Sequence, residues 1–195
     1  AFRLGHWKTG ITEWPANEAD MTIDKPSMRH PHGWQAPAQL LRVLQFASPD
    51  ALISALETLN WPLDQADDSG LTLLFRAVLL GRLDHAEVLL STGANIDCQD
   101  SNGWTPLFWA AYNQKIVAVR FLLAHGAQPD PLNVDGEWPL FWAVYRDDWE
   151  IVSLLLLSGA DPSRTDINGR DVFWLAASLG REPMLARLKA IRAAG

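Results

Sequence analysis

Cysteine is nearly absent from this chain: Cys98 stands alone among 195 residues, so no internal disulfide can staple the fold and a reducing, cytoplasmic setting is expected. Basic runs are missing too. Lys and Arg number 16 against 23 Asp and Glu, giving a net charge of −7. A nucleic-acid backbone or an anionic membrane surface would find no electrostatic footprint here, so neither is expected as a partner. No apolar stretch approaches the roughly 18 residues needed to cross a bilayer, and no basic segment followed by an apolar one opens the sequence, so neither a span nor a leader is expected within it. Tyrosine is scarce, with two Tyr and seven Phe against ten Trp. Trp is costly to place unless it is packed or used in contact, so part of this set is expected at a binding surface. With 48% hydrophobic and 20% charged residues, the chain can bury one real core.

What is abundant is self-similarity. Gly70, Gly103, Gly136 and Gly169 recur at intervals of 33, and so do the pairs Gly93 Ala94, Gly126 Ala127 and Gly159 Ala160. Two independent markers thus share one period. Between them runs a consistent block: Trp104 Thr105 Pro106 Leu107, then Phe108 to Tyr112, then Ile116 to Leu123 leading into Ala124 His125 Gly126 Ala127. Pro106 suits a first helical turn, where its missing N–H is not needed, and Thr105 can cap the orphan amides. Gly93, Gly126 and Gly159 stand where a second helix must stop with a left-handed residue.

This block resembles the ankyrin repeat, clearly over residues 67–195 and weakly back to about 34. The resemblance implies an all-α solenoid of stacked helix pairs joined by β-turn loops, in which one pair cannot bury its apolar face alone. The expected organisation is a non-repeat N-terminal arm at 1–33 and a repeat domain at 34–195. The latter comprises a divergent first unit (34–66), three units at 67–99, 100–132 and 133–165, and a capping unit at 166–195. Subtracting the period from Gly93 gives Asn60, which tolerates the left-handed conformation well, and Ser48 Pro49 Asp50 predicts a helix reaching about Leu59. Asp171 Val172 stand where Thr Pro is expected in the last unit, which ends in a polar tail with Arg187, Lys189 and Arg192. The arm carries Trp7, Trp14 and His30 Pro31 His32 Gly33 without a sustained helical period.

Catalytic constellations are poorly supported, and no enzyme activity and no cofactor are expected. Cys98 has acidic sequence neighbours, which do not favour a thiolate, and reads as a packed structural residue. His6, His30 and His32 could converge on a metal, yet His30 and His32 read first as loop residues. His85 and His125 fall at helix positions and are expected to make capping or surface contacts. The pairs Asp67 Asp68 and Asp147 Asp148 fall at repeat turns, where Asp supplies turn chemistry rather than acid–base work.

Carried onto this chain, the resemblance places a concave groove on one helical face of each unit: Arg76, Leu79 and Leu80, then Trp109, Tyr112 and Asn113, then Trp142, Tyr145 and Arg146, then Leu175, Ser178 and Leu179. Turn tips including Asp68, Trp104, Asp135, Glu137 and Arg170 line the same side. A Trp and Tyr pair in two successive units makes an aromatic ladder, and large aromatics with Arg are frequent binding hot spots. The alternative is that the rings pack between helices, although Leu107, Ala110, Ala111, Leu140, Ala143 and Val144 already fill the core positions. Phe75, Phe108, Phe141 and Trp174 replace the histidine usual in the family, and Trp138 replaces the capping Thr.

Residues 67–165 hold thirteen acidic and six basic side chains, so the acidity is central, with Asp68, Asp100, Asp135 and Glu137 beside the groove. A basic protein surface would be steered toward it. The expected function is therefore a non-catalytic protein-binding module with a basic protein partner, acting as a monomer or in a heteromeric complex. An inhibitor or immunity-type protein that occludes a toxin or enzyme, a metal-dependent activity in the arm, and an arm that fills its own groove are the alternatives.

Overall fold

The structure is a computed structural model that describes residues 38–67, 70–166 and 168–194. Over these residues the chain forms ten helices and no strand. They run in pairs: α1 (Ala38–Phe46) with α2 (Pro49–Leu59), α3 (Leu73–Leu79) with α4 (Leu83–Ser91), and α5 (Pro106–Tyr112) with α6 (Ile116–Ala124). Then follow α7 (Pro139–Tyr145) with α8 (Trp149–Leu157), and α9 (Val172–Ser178) with α10 (Glu182–Ala194). Two or three residues join the members of each pair, which forces antiparallel packing. First helices stack in one row from α1 to α9, while α2 packs on α4 and α6 on α8.

The caps explain where the helices begin and end. Thr72 and Thr105 accept hydrogen bonds from the amides of Phe75 and Phe108 at 3.2 and 3.1 Å, and Asp171 does the same for Trp174 at 2.7 Å. The replacement of Thr by Asp in the last unit therefore keeps the cap. Trp138 makes no such bond, and α7 starts on Pro139 alone. In the first unit Ser48 caps α2 and Asn60 ends it at φ 45°, as the period predicts.

Leu74, Leu107 and Leu140 are fully buried, as are Leu89, Leu122 and Leu155 on the second helices, so the core is one continuous seam between the two rows. The seam is metered at both edges. At the connecting turns Asp100 accepts from the amides of Asn102 and Trp104, both at 2.9 Å, and the Val134 amide donates to the Asn102 carbonyl of the preceding turn at 2.9 Å. After the second helices, Asp64, Asp97 and Asp130 each accept from an amide of the following unit, those of Asn95, Gln128 and Asp161, at 2.8, 3.0 and 2.7 Å.

His85 departs from the expected surface role. It is fully buried, with Nδ1 3.0 Å from Asp84 Oδ1 and Nε2 3.4 Å from the Arg82 guanidinium. The cause is Arg82, which reaches across to the α1 terminus and closes over the ring. His125 does lie at the surface, 2.9 Å from Glu87 and stacked on Phe121. Cys98 is buried with its Sγ 3.1 Å from Thr72 Oγ1, and burial pushes its thiol up to about 11, the opposite of an activated nucleophile.

Candidate functional site

The 33-residue period carries two columns of side chains along one face of the row of first helices, because residues three and four apart share a helical face. One column is Phe46, Leu79, Tyr112, Tyr145 and Ser178. A second is Arg76, Trp109, Trp142 and Leu175. The two columns meet between neighbouring units: Trp142 stands edge-on to Tyr112, ring centroids 4.8 Å apart at 71°.

Around that contact the structure gathers an aromatic cluster. Tyr112 and Trp142 are its buried centre, 4% and 5% exposed, together with Phe108. Trp104 lies 4.7 Å from Phe108 and 5.0 Å from Tyr112, and Tyr145 lies 5.3 Å from Trp142. The Arg146 guanidinium covers the open face of Tyr112 at 4.7 Å, a cation–π contact. Trp104 and Tyr145 are partly buried, and Arg146 is exposed. Two rings expected to stand open in the groove are therefore mostly covered by the neighbouring unit and by Arg146, while the rim around them is accessible.

Trp109 takes a different neighbourhood. The spacing places it in one ladder with Tyr112, but its first-column neighbour is Leu79, and the half-buried indole lines a pocket with Leu79 and Leu80. Asn113 caps α5, its amide donating to the Trp109 carbonyl at 3.0 Å. Arg76 and Arg170 are engaged at their own turns, Arg76 with Asp67 and Arg170 with Asp166 at 2.5 Å. Arg170 also lies 5.0 Å over the ring of Trp174.

The acidic rim is smaller than composition implies. Asp100 and Asp166 spend their carboxylates on turn amides, and Asp68 lies outside the described residues. Asp135 is exposed. Glu137 is half-buried beside Asn133, whose amide donates to it at 2.9 Å. Burial raises its pKa, with the Asn133 and Trp142 hydrogen bonds pulling the other way. Phe46, 75% exposed, belongs to the first column and escaped the sequence reading. The same subtraction that yields Asn60 would have found it, since Leu79 less one period is Phe46.

A family model of ankyrin repeats matches residues 74–166 in three copies. Residues 74–166 are ankyrin repeats. Ankyrin repeats mediate protein–protein contact through the extended concave surface that stacking creates, and the ankyrin repeat is typically a non-catalytic interaction module. No curated protein matches the chain. Among the described residues, no group of three His, Cys, Asp or Glu is arranged to hold a metal, and no helix is long and apolar enough to cross a membrane. The arm, with its boundary at 33/34 and its His6, His30 and His32, lies outside the described residues.

Proposed function

We propose that this protein is a non-catalytic module of the cytoplasm that receives a basic protein partner on its concave face. The observation that supports it is the continuous column formed by Leu79, Tyr112 and Tyr145, flanked by Trp104, Arg146 and Asp135. It offers accessible aromatic and Arg surface over a rigid, buried support, the combination that concentrates binding energy. The thirteen acidic side chains of the central units supply a long-range field that favours basic surfaces, even where individual carboxylates are occupied by turns. Tyr145 and Arg146 are the contact residues of choice, because Tyr145 is only partly buried and Arg146 is exposed, whereas Tyr112 and Trp142 are covered.

The test is affinity capture with crosslinking from the native cell, comparing the wild-type chain with the double variant Tyr145→Ala, Arg146→Ala. A basic protein retained by the wild type and lost by the variant, with the variant still folded, supports the reading. Equal recovery on both would move the partner surface away from this face.

A further inference from the structure

The turn joining α3 to α4 and the start of α6 enclose a shallow pocket of about 480 Å³. Leu79, Leu80, Leu83, Trp109 and Val117 line it, with Lys115 at its edge. The apolar lining is not sealed: Leu80 is 48% and Val117 66% exposed. Arg82 ties the turn carrying Leu80 to the carbonyls of Leu44, Gln45 and Ala47 at 3.3, 3.1 and 2.7 Å. These bonds hold the end of α1, with exposed Phe46, against the same turn. A concave apolar surface with a polar rim marks a recognition site.

The charge around it points to the occupant. In a chain of net charge −7, the α5–α6 turn is an exception. Lys115 follows Tyr112 by three positions, and Arg146 rests on the Tyr112 ring, so two exposed cations flank one turn. Neither makes an ion pair among the described residues, whereas Arg76, Arg82 and Arg120 pair with Asp67, Asp84 and Glu150. Nearby carboxylates are engaged: Asp147 pairs with Arg181 at 3.0 Å, and Asp148 accepts from the Ile151 amide and the Gln114 side chain. The donors to Asp148 are neutral and leave its charge in place, so Lys115 and Arg146 together give the turn one positive charge in excess.

The geometry points to a peptide segment with a bulky apolar side chain flanked by acidic residues. The side chain fills the space beside Trp109, and the carboxylates meet Lys115 and Arg146. This site goes beyond the basic-partner reading: it shares Leu79 and Arg146 with the concave face described there, but the pocket beside Trp109 and the Lys115 ammonium belong to it alone.

The experiment is a ¹H–¹⁵N NMR titration of the full chain with three acetylated hexapeptide amides. One has a Leu-Phe pair between two Glu on each side, one has the same pair between Lys, and one has an Ala-Ala pair between Glu. The Trp109 indole signal is assigned by its loss in Trp109→Phe. The Glu-flanked Leu-Phe peptide is expected to shift the Trp109 indole and the Leu80 and Val117 amides saturably. The Lys-flanked peptide should bind about tenfold more weakly, and Lys115→Glu, a surface change, should narrow or reverse that order. Absence of a saturable shift at these signals overturns the proposal, as does equal binding by the Ala-Ala peptide or a preference for the Lys-flanked peptide in the wild type. Failure here with a basic partner still captured through Tyr145 and Arg146 would remove the pocket alone.

Discussion

Arg181 lies three 33-residue periods beyond Arg82, and the two side chains do the same thing at opposite ends of the stack. Each reaches back to the last carbonyls of the preceding first helix: Arg82 to Leu44, Gln45 and Ala47, Arg181 to Tyr145 at 2.6 Å. These carbonyls have no partner within their own helix, so each guanidinium caps a helix and couples two units at once. Lys115 and Asp148 hold the equivalent places in the interior units.

Replacing Arg82 by Met should therefore loosen the first unit rather than the whole stack. Hydrogen bonds to a charged donor are each worth about 1.5 to 3 kcal/mol, discounted here because the side chain is partly exposed, so a loss of about 2 kcal/mol is expected. Hydrogen exchange should show it as faster opening in α1 and α2 with α5 to α8 unchanged; uniform acceleration along the chain would contradict the local coupling.

Tyr112 and Trp142 should behave as core residues. Truncating a buried large aromatic costs about 3 to 5 kcal/mol, so Trp142→Ala should shift the urea midpoint strongly. Tyr145→Ala, at a half-buried rim position, should cost clearly less. Comparable midpoints for the two variants would mean that the Trp142 edge contact with Tyr112 contributes little.

Glu137 carries a pH signature. Its folded pKa is raised by burial, so the native state holds a proton more tightly than the unfolded chain does, and stability falls as pH rises from the ordinary Glu range near 4.3 through the raised value. Glu137→Gln keeps an acceptor for Asn133 without the charge. The variant and the wild type should match near pH 4, and the variant should be the more stable at pH 7. A difference that does not change with pH would assign it to something other than this carboxyl.

Two glycines with the same sign of φ should respond differently to Ala. At Gly126, φ is +87° and a Cβ would meet nothing within 4 Å, so Gly126→Ala carries only backbone strain, about 1 kcal/mol. At Gly70, φ is +79° and a Cβ would lie 2.6 Å from the Ser101 amide nitrogen and 2.7 Å from the Asp100 carbonyl carbon. Gly70→Ala must also push the next turn away. Thermal melts should rank it as the more damaging; the reverse order would show that the turns are not held together there.

The helix pairs and their caps were legible because they depend on local chemistry repeated at a fixed interval: Thr105, Pro106 and Gly126 announce a start and a stop wherever they stand. Asn60 was legible by the same interval. The burial of Tyr112 was not, because position tells which face a ring occupies and not how large the neighbour is; Trp142 covers it, where Trp109 finds only Leu79. His85 was hidden for a related reason, since the guanidinium that closes over it belongs to a contact spanning 35 to 38 residues.

The carboxylates of Asp64, Asp97 and Asp130 each grasp an amide 31 residues further along, in the next unit, so one short side chain acts as the ruler for the distance between consecutive units. Such a ruler is indifferent to how many units it has already measured. Duplication or loss of a whole 33-residue segment leaves every remaining carboxylate with an amide to hold, whereas one residue inserted between Asp97 and Gln128 breaks the count at that joint. Lengthening of this protein is therefore quantised in full repeats, and a longer concave face is reached by copying a segment rather than by extending a loop.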